Sequence, residues 1–460
     1  MPRDRQQLLI DSLRRFLRRG AHPHLRRLME KARAEDVGLA LAELHDREAR
    51  TIFATLLDNP ELAANVASGF PGEHEALFSG IEVHQLVPVF AHIASDDSAD
   101  ILASLPEDLR TALLEAFEDE EQEGLEELMQ FAEDSAGGIM STEIFSVDQE
   151  FTARETIVQL QESPKAELVF YVYCINEEGT LVGVLSLRQL LIVAPSTQVK
   201  EIMQSDVLSV PVTLDQEDVA QMVARYDLLA VPVVDEFNKL VGIITVDDVI
   251  DVVRDEAGED MMLMAGVGDE DAAKASTGQA VRTRLPWLLA SVAGGIGAAF
   301  LIGLYEKELT EVAALAAFIP IVMGLGGNVG VQASTIAVRG IAMGQLDPSK
   351  LVSALLYELR VVLVIALVCA GIVAAVCFGM GDYLVDGGPS APAPVLLAGA
   401  VSNSLLVVMI IGAMLGTAVP LIAHRVGIDP AVATGPVLTT TIDLVGVLLY
   451  FLISVTWLGL

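Results

Sequence analysis

Pro436–Trp457 reads PVLTTTIDLVGVLLYFLISVTW, an apolar stretch with one acid inside it. At a rise of about 1.5 Å per residue it is long enough to cross a hydrocarbon core of about 30 Å. Asp443 falls well inside that span. An aspartate near the centre of a spanning helix costs about 2.5 to 3.5 kcal/mol on insertion scales, so such residues face a bundle interior or a water-filled cavity and mark ion pathways. Gly435, Thr439, Asp443 and Gly446 stack on one helical face, small and polar, while Leu444, Leu448, Leu449 and Phe451 lie mostly elsewhere. The competing reading is a hydrogen bond from Asp443 to a neighbouring helix. The pattern points to a cation without saying which.

Working outward, four further segments read as spans, giving five in all: Pro286–Leu304, Val312–Val338, Leu359–Met380, Val395–Leu421 and Val432–Trp457. Arg282, Arg284, Arg339, Lys350, Arg360 and Arg425 fall in loops on the N-terminal side and only Lys307 on the other, which predicts an inside N-terminus and an outside C-terminus. In the second span Pro320, Gly324, Gly326, Gly327 and Gly330 predict a broken helix, and broken backbone at membrane depth must be buried or line a cavity. Asn328, Gln332 and Thr335 would then face a pore. Gly399, Asn403, Gly412, Gly416 and Pro420 form a small or polar stripe in the fourth span, suited to close helix packing.

The chain has 460 residues, 52% of them hydrophobic, with 28 Lys+Arg against 63 Asp+Glu. The acidity lies outside the spans: residues 51–276 hold 9 basic and 46 acidic side chains, whereas the first fifty hold 12 and 8. Such a surface repels nucleic acid and gathers cations. Cys174, Cys369 and Cys377 are too few for a disulfide framework. Leu8–Leu28 is Arg-rich with short apolar runs and reads as a basic amphipathic helix, not a signal peptide.

From Asp36 to Phe131, short helical periods punctuated by Pro60, Pro71, Pro88 and Pro106, with segments such as Ala40–Leu57 and Ala99–Phe117, predict a superhelical all-α domain. Asp96 and Asp100 share a helical face there, as an N-terminal acid turn or as metal ligands. An internal repeat follows. GGIMSTEIFSV (Gly137–Val147) matches KEIMQSDVLSV (Lys200–Val210), and LVGVLSLRQLL (Leu181–Leu191) matches LVGIITVDDVI (Leu240–Ile250). Each copy predicts strand, helix, strand, strand, helix. This resembles a tandem pair of CBS domains, which implies dimerisation and adenine-nucleotide binding between copies. For ATP or another adenine nucleotide, a hydroxyl and an Asp three residues on are needed; the second copy has Thr245 and Asp248, the first Ser186 but Gln189.

Next comes TVDDVIDVVRDEAGEDMMLM, where Asp248, Asp251, Asp255 and Glu259 line one side with Glu256 and Asp260 beside them. Like charges at these spacings destabilise a helix, so a cation or another domain's donors should neutralise them. Oxygen ligands suit Mg²⁺, Ca²⁺ or Mn²⁺ and not zinc.

An acidic helical domain, a CBS pair, an acid-striped helix and five spans together resemble the MgtE family of magnesium channels. GLGGNVGVQAST (Gly324–Thr335), IDPAVATGPVLTTTIDLVG (Ile428–Gly446) and TVDDVIDVV before DEAGED carry the likeness. It implies a multidomain membrane protein: a basic helix over 1–35, an acidic helical domain over 36–134, CBS domains over 135–198 and 199–253, a linker or plug helix over 254–284, and a five-helix pore domain over 285–460. It implies that Asp443 holds Mg²⁺ with Thr439 one turn away, that Asp429 lies at the cytoplasmic mouth, and that Asp96, Asp100, Asp227, Asp248, Asp251, Glu256, Glu259 and Asp260 sense cytosolic Mg²⁺, with Gly138 as a main-chain ligand. One Asp per chain at a twofold axis would supply two carboxylates to a hydrated ion in a homodimer of the plasma membrane. The expected activity is import of Mg²⁺ down its gradient, closed by Mg²⁺ on the cytosolic domains.

No Walker motif, phosphorylated-Asp signature or nucleophile arrangement appears, so no enzyme is expected. Two alternatives remain: a CBS-regulated secondary divalent-cation transporter or exporter, which would need more ionisable residues in the spans than Asp443, and a membrane-tethered metal sensor without transport.

Overall fold

The computed structural model describes residues 3–163, 170–267, 276–379 and 393–460. The chain divides into two compact units, Met1–Val252 and Val253–Leu460.

The first unit opens with short helices, from Arg3–Arg18 to Asp119–Leu128. Their starts are written locally. Asn59 Oδ1 accepts from the Leu62 N–H at 3.4 Å with Pro60 in the first turn, and Pro106 precedes Glu107–Leu114, positions where proline's fixed φ and missing N–H do no harm. Pro88 departs from its expected role as a boundary and lies inside Val83–Phe90, in the last turn. The expected longer segments are also divided, into Ala34–Ala42 and Asp46–Phe53, and into Ser95–Ser104 and Glu107–Leu114. Packing explains the division. Ala34–Ala42 packs on Pro60–Ser68, Pro60–Ser68 on Val83–Phe90, and Val83–Phe90 on Glu107–Leu114, each helix meeting the next but one. Short helices with tight reversals bury every apolar stripe in such a stack. Phe53, Phe78, Phe90 and Phe117 run through it as successive ring contacts of 5.5, 6.0 and 5.8 Å.

The basic N-terminal stretch is two helices, Arg3–Arg18 and His22–Met29, reversed at Gly20 with φ +63°. Leu9, Ile10, Leu13, Leu25 and Met29 enter the same core as Val37 and Leu41. The amphipathic face expected from the sequence therefore covers the helical stack.

Each repeat copy forms a three-stranded sheet. β1 (Ser146–Asp148) pairs parallel with β2 (Tyr171–Ile175), which pairs antiparallel with β3 (Leu181–Ser186). β4 (Val210–Pro211), β5 (Ala230–Val234) and β6 (Leu240–Thr245) repeat the arrangement, with an irregularity at the equivalent place. The copies interlock. Ser141, ahead of the first sheet, bridges to Ile243 of the second, and Gln204, ahead of the second, bridges to Val184 of the first. Met140 covers Gly242 and Met203 covers Gly183. A Cβ at either position would press on the methionine, whose side chain would have to shift.

In the second unit, five helices are long and apolar enough to cross a membrane among the described residues. The first, Thr277–Leu304, is capped by a reciprocal Ser276–Gln279 box and contains Pro286, so it begins before the expected span. The expected linker helix over 254–284 is two helices, Val246–Met264 and the start of Thr277–Leu304; residues 268–275 lie outside the described residues, as does Met380 at the expected end of the third span.

The second span corrects the sequence reading. Ala314–Ala342 is one helix through Pro320 and all its glycines. The glycines serve close approach: Gly326 faces the fourth span, Pro394–Arg425, with its carbonyl 2.6 Å from where a Gly412 Cβ would stand, and Gly330 bears likewise on Gly416. Small residues let the backbones meet. The break falls in the fifth span instead, where Gly435 separates Pro430–Thr434 from Pro436–Leu458. Tyr450 Oη donates to the Leu315 carbonyl at 2.8 Å, and Ser404 and Ser454 hydroxyls meet at 3.1 Å, tying the fifth span to the second and fourth.

Candidate functional site

Asp443 is half-buried on Pro436–Leu458. Gly327 of the second span lies beside it: a Cβ there would stand 3.7 Å from Asp443 Oδ1 and 3.8 Å from Thr439 Cγ2. One turn back, Thr439 N–H and Oγ1 lie 3.4 and 3.5 Å from the Gly435 carbonyl. The Asp443 carboxylate makes no hydrogen bond or ion pair with a described residue. The competing sequence reading, an aspartate tied to a neighbouring helix, therefore has no partner here. Asn328 and Thr335 are exposed on the second span and away from the packed glycine face.

The break at Gly435 has its own acid group. Asp429 caps Pro430–Thr434, its Oδ1 accepting from Ala431 N–H at 2.7 Å. The end of Val246–Met264 approaches Gly435, where a Cβ would be 3.1 Å from the Met264 carbonyl and 3.2 Å from that of Leu263. Burial, and then the charges of Asp429 and Glu256, push Asp260 up to about 6. Asp255 is exposed, and Glu259 is partly buried on the same helix.

The first unit holds a second acid group, between Ser95–Ser104 and the start of Val246–Met264. Burial dominates and the facing Asp248 adds to it, so Asp96 rises to about 7. Asp97 is raised by burial and by Asp251 and Asp247, although Ser68 bonds its charged form. Asp100 reaches about 6 through desolvation, then Asp97 and Glu133. Gly138 packs on the backbone at Ala132 and Glu133, where a Cβ would lie 2.9 Å from the Glu133 carbonyl. Asp96 Oδ1 is buried without a hydrogen-bond partner among the described residues. An orphaned buried carboxylate oxygen among like charges lacks a compensating charge, which a hard cation would supply. In this arrangement, no three His, Cys, Asp or Glu side chains among the described residues converge on one ion position.

The acid stripe predicted on one helix thus serves two places. Asp248 and Asp251 join Asp96 and Asp97, whereas Glu256 and Asp260 join Asp429. Asp97, Asp247 and Glu133 escaped the sequence reading; the acidic SDD and VDD runs offered a signal for the first two, and nothing local singled out Glu133. Asp227 stands exposed at the C-cap of Gln216–Tyr226 with φ +51°.

Thr245 Oγ1 lies 2.5 Å from Asp248 Oδ2 and 2.6 Å from Asp247 Oδ1, its single hydrogen shared between the two carboxylates. In the first copy, Ser186 Oγ donates to Gln189 Oε1 at 3.0 Å. Both pairs start the helix after the third strand. Asp248 consequently takes part in helix capping and in the acid group.

Comparison with known proteins finds three family models in this chain. Residues 319–453 match the family model MgtE, a divalent cation transporter; 136–195 and 199–255 match the CBS domain; and 32–134 match the MgtE intracellular N domain. The magnesium transporter MgtE of Bacillus subtilis is 35% identical over 393 residues, covering 84% of this chain and 85% of that protein. That of Thermus thermophilus is 32% identical over 456 residues, 98% of each. A solved cytosolic domain of the Mg²⁺ channel MgtE in complex with ATP is 34% identical, with a TM-score of 0.50, and covers 53% of this chain and 99% of that one.

Proposed function

The chain belongs to the MgtE family of divalent cation transporters, and from that premise we propose that it carries Mg²⁺ inward through the membrane, down its electrochemical gradient, with Asp443 as the carboxylate that holds the ion. The observation that carries the reading is the half-buried Asp443 carboxylate, without a partner among the described residues, between Gly327 and Thr439. In low-dielectric surroundings an unpaired carboxylate concentrates cations strongly. Mg²⁺ gives up its waters reluctantly, so one or two carboxylates facing a hydrated ion suit it. A homodimer with one Asp443 from each protomer around a twofold axis would provide two. The N-terminus lies in the cytoplasm and the C-terminus outside, in keeping with the loop charges.

Transport is regulated from inside. Asp96, Asp97, Asp248 and Asp251 repel one another in the metal-free protein, as do Glu256, Asp260 and Asp429. Facing carboxylates about 4 Å apart cost roughly 4 kcal/mol at an effective dielectric near 20. Mg²⁺ supplies the neutralising charge when bound, with Asp100, Glu259, Asp227 and the Gly138 main chain as further candidates. Closure then needs only a closed state that binds Mg²⁺ more tightly than the open one. An adenine nucleotide such as ATP binds the CBS pair through Thr245 and Asp248, in line with the ATP complex of the relative.

The test is Mg²⁺ flux in proteoliposomes. Asp443→Asn should abolish uptake while the protein still elutes as the wild type does in detergent. Wild-type uptake by that variant would remove Asp443 from the pathway, and a wild-type protein with no flux would favour the tethered sensor.

A further inference from the structure

The two basic N-terminal helices, Arg3–Arg18 and His22–Met29, carry two kinds of arginine. Arg14 pairs with Glu48 at 3.6 Å and donates to the Glu43 carbonyl, and Arg26 pairs with Asp58 and donates to the Thr55 carbonyl. These two serve the fold, because their partners all belong to the helical stack. Arg5, Arg15, Arg18, Arg19, Arg27 and Lys31 are exposed and make no hydrogen bond or ion pair with a described residue. Over residues 5–31 they face only two acidic side chains, Asp11 and Glu30, while Arg3 and Asp4 cancel in sequence. Arg5, Leu8, Ser12 and Arg15 stand at spacings of three and four on one side of the first helix, with Arg19 just past its end, away from the buried Leu9, Ile10 and Leu13. Leu8 is 64% exposed in the middle of that line.

Arg15 and Arg18 suit the negative end of the helix dipole, but Arg5 sits near the positive end, where a cation is disfavoured. The line therefore calls for an anionic partner outside the fold. We propose that this face docks on the anionic phospholipid leaflet of the membrane that holds the chain's own spans. Charge complementarity carries the inference: a negative leaflet attracts each Lys or Arg brought near its surface, and a line of them along one helix can approach it together. Leu8 fits the same partner, since an apolar side chain at the centre of a basic face enters the headgroup boundary and gains nothing from a phosphate in water. A long polyanion such as nucleic acid fits less well, because residues 51–276 hold 46 acidic side chains against 9 basic ones and repel it. A leaflet needs to meet only the one basic face, and tethering by the spans raises its effective concentration. The docking requires membrane insertion of the chain and nothing about ion flow or closure.

The test places an environment-sensitive fluorophore on Leu8→Cys in the full-length chain, with Cys369→Ala removing the half-buried native thiol while Cys174 and Cys377 stay buried. The protein is reconstituted in lipid nanodiscs of phosphatidylcholine alone or of phosphatidylcholine with about 30% phosphatidylglycerol. Emission should shift to the blue in the anionic discs relative to the neutral ones, and the shift should vanish at about 0.5 M salt. Adding Arg5→Gln, Arg15→Gln and Arg19→Gln should abolish it, whereas Arg5→Lys, Arg15→Lys and Arg19→Lys should keep it, which separates lost charge from lost folding. Equal emission in the two kinds of disc, or a shift that survives the three glutamines, overturns the docking. A blue shift produced in neutral discs by added single-stranded RNA, with none from phosphatidylglycerol, overturns it too and gives the face to nucleic acid.

Discussion

Gly327 packs against Asp443, with the carboxylate oxygen 3.7 Å from the position a Cβ would take. The glycine leaves the acid free of any side chain from the second span, and the same helix face lays Gly326 and Gly330 on the fourth span. A single continuous helix therefore both supports the bundle and keeps one side of the acid open.

Enlarging that position should act on permeation before stability. Gly327→Ala adds one methyl at ordinary contact distance and should keep most Mg²⁺ flux. Gly327→Leu should reduce flux by about tenfold or more, since its branches reach the carboxylate, equivalent to about 1.4 kcal/mol at the ion position. Radiotracer uptake with thermal melting of the same preparations checks this; equal flux in wild type and Gly327→Leu would separate Gly327 from the pathway.

Asn328 is exposed on the second span, where a polar residue needs a partner chain or water. Asn328→Leu should lower Mg²⁺ flux severalfold while detergent-solubilised protein stays folded. Undiminished uptake would make Asn328 a surface residue with no part in permeation.

Two acid groups at separate ends of Val246–Met264 predict that exposed Asp255 matters little. Neutralising Asp248, Asp251, Glu256 and Glu259 together should leave flux on at high internal Mg²⁺, and Asp97→Asn alone should raise the Mg²⁺ needed for closure. Asp255→Asn should match wild type. Vesicle flux against a series of internal Mg²⁺ concentrations decides it; closure of the quadruple variant at the wild-type concentration would reduce the stripe to a solvated face.

The raised carboxylates also fix a pH dependence. Asp96 at about 7 and Asp100 at about 6 lie above the unfolded value, so the native state binds more protons between the two values. Their contribution to stability is present when they are protonated, below about pH 4, and is lost as pH rises through about 6 to 7. Melting of the EDTA-treated protein should thus fall from about pH 5 to about pH 8, less steeply in Asp96→Asn, and Mg²⁺ should flatten the wild-type profile. Identical slopes for wild type and Asp96→Asn would remove Asp96 as a source of the effect.

The sequence by itself determined the division into helical stack, CBS pair and spans, because apolar length, repeat spacing and charge asymmetry are properties of order along the chain. It also singled out Asp443, since an acid in an apolar run is visible without a fold. Only the tertiary structure decided which span is broken. Proline and glycine in Ala314–Ala342 and at Gly435 look alike as local breakers, and the difference lies in what approaches them: the fourth-span backbone at Gly326 and Gly330, and the Leu263 and Met264 carbonyls at Gly435. The same is true of the acids. Asp97 and Glu133 are ordinary surface residues in one dimension, and they become part of a group only when folding sets Asp247, Asp251 and Asp100 beside them. Charge repulsion and close packing act through space, and sequence spacing records them only within a single helix.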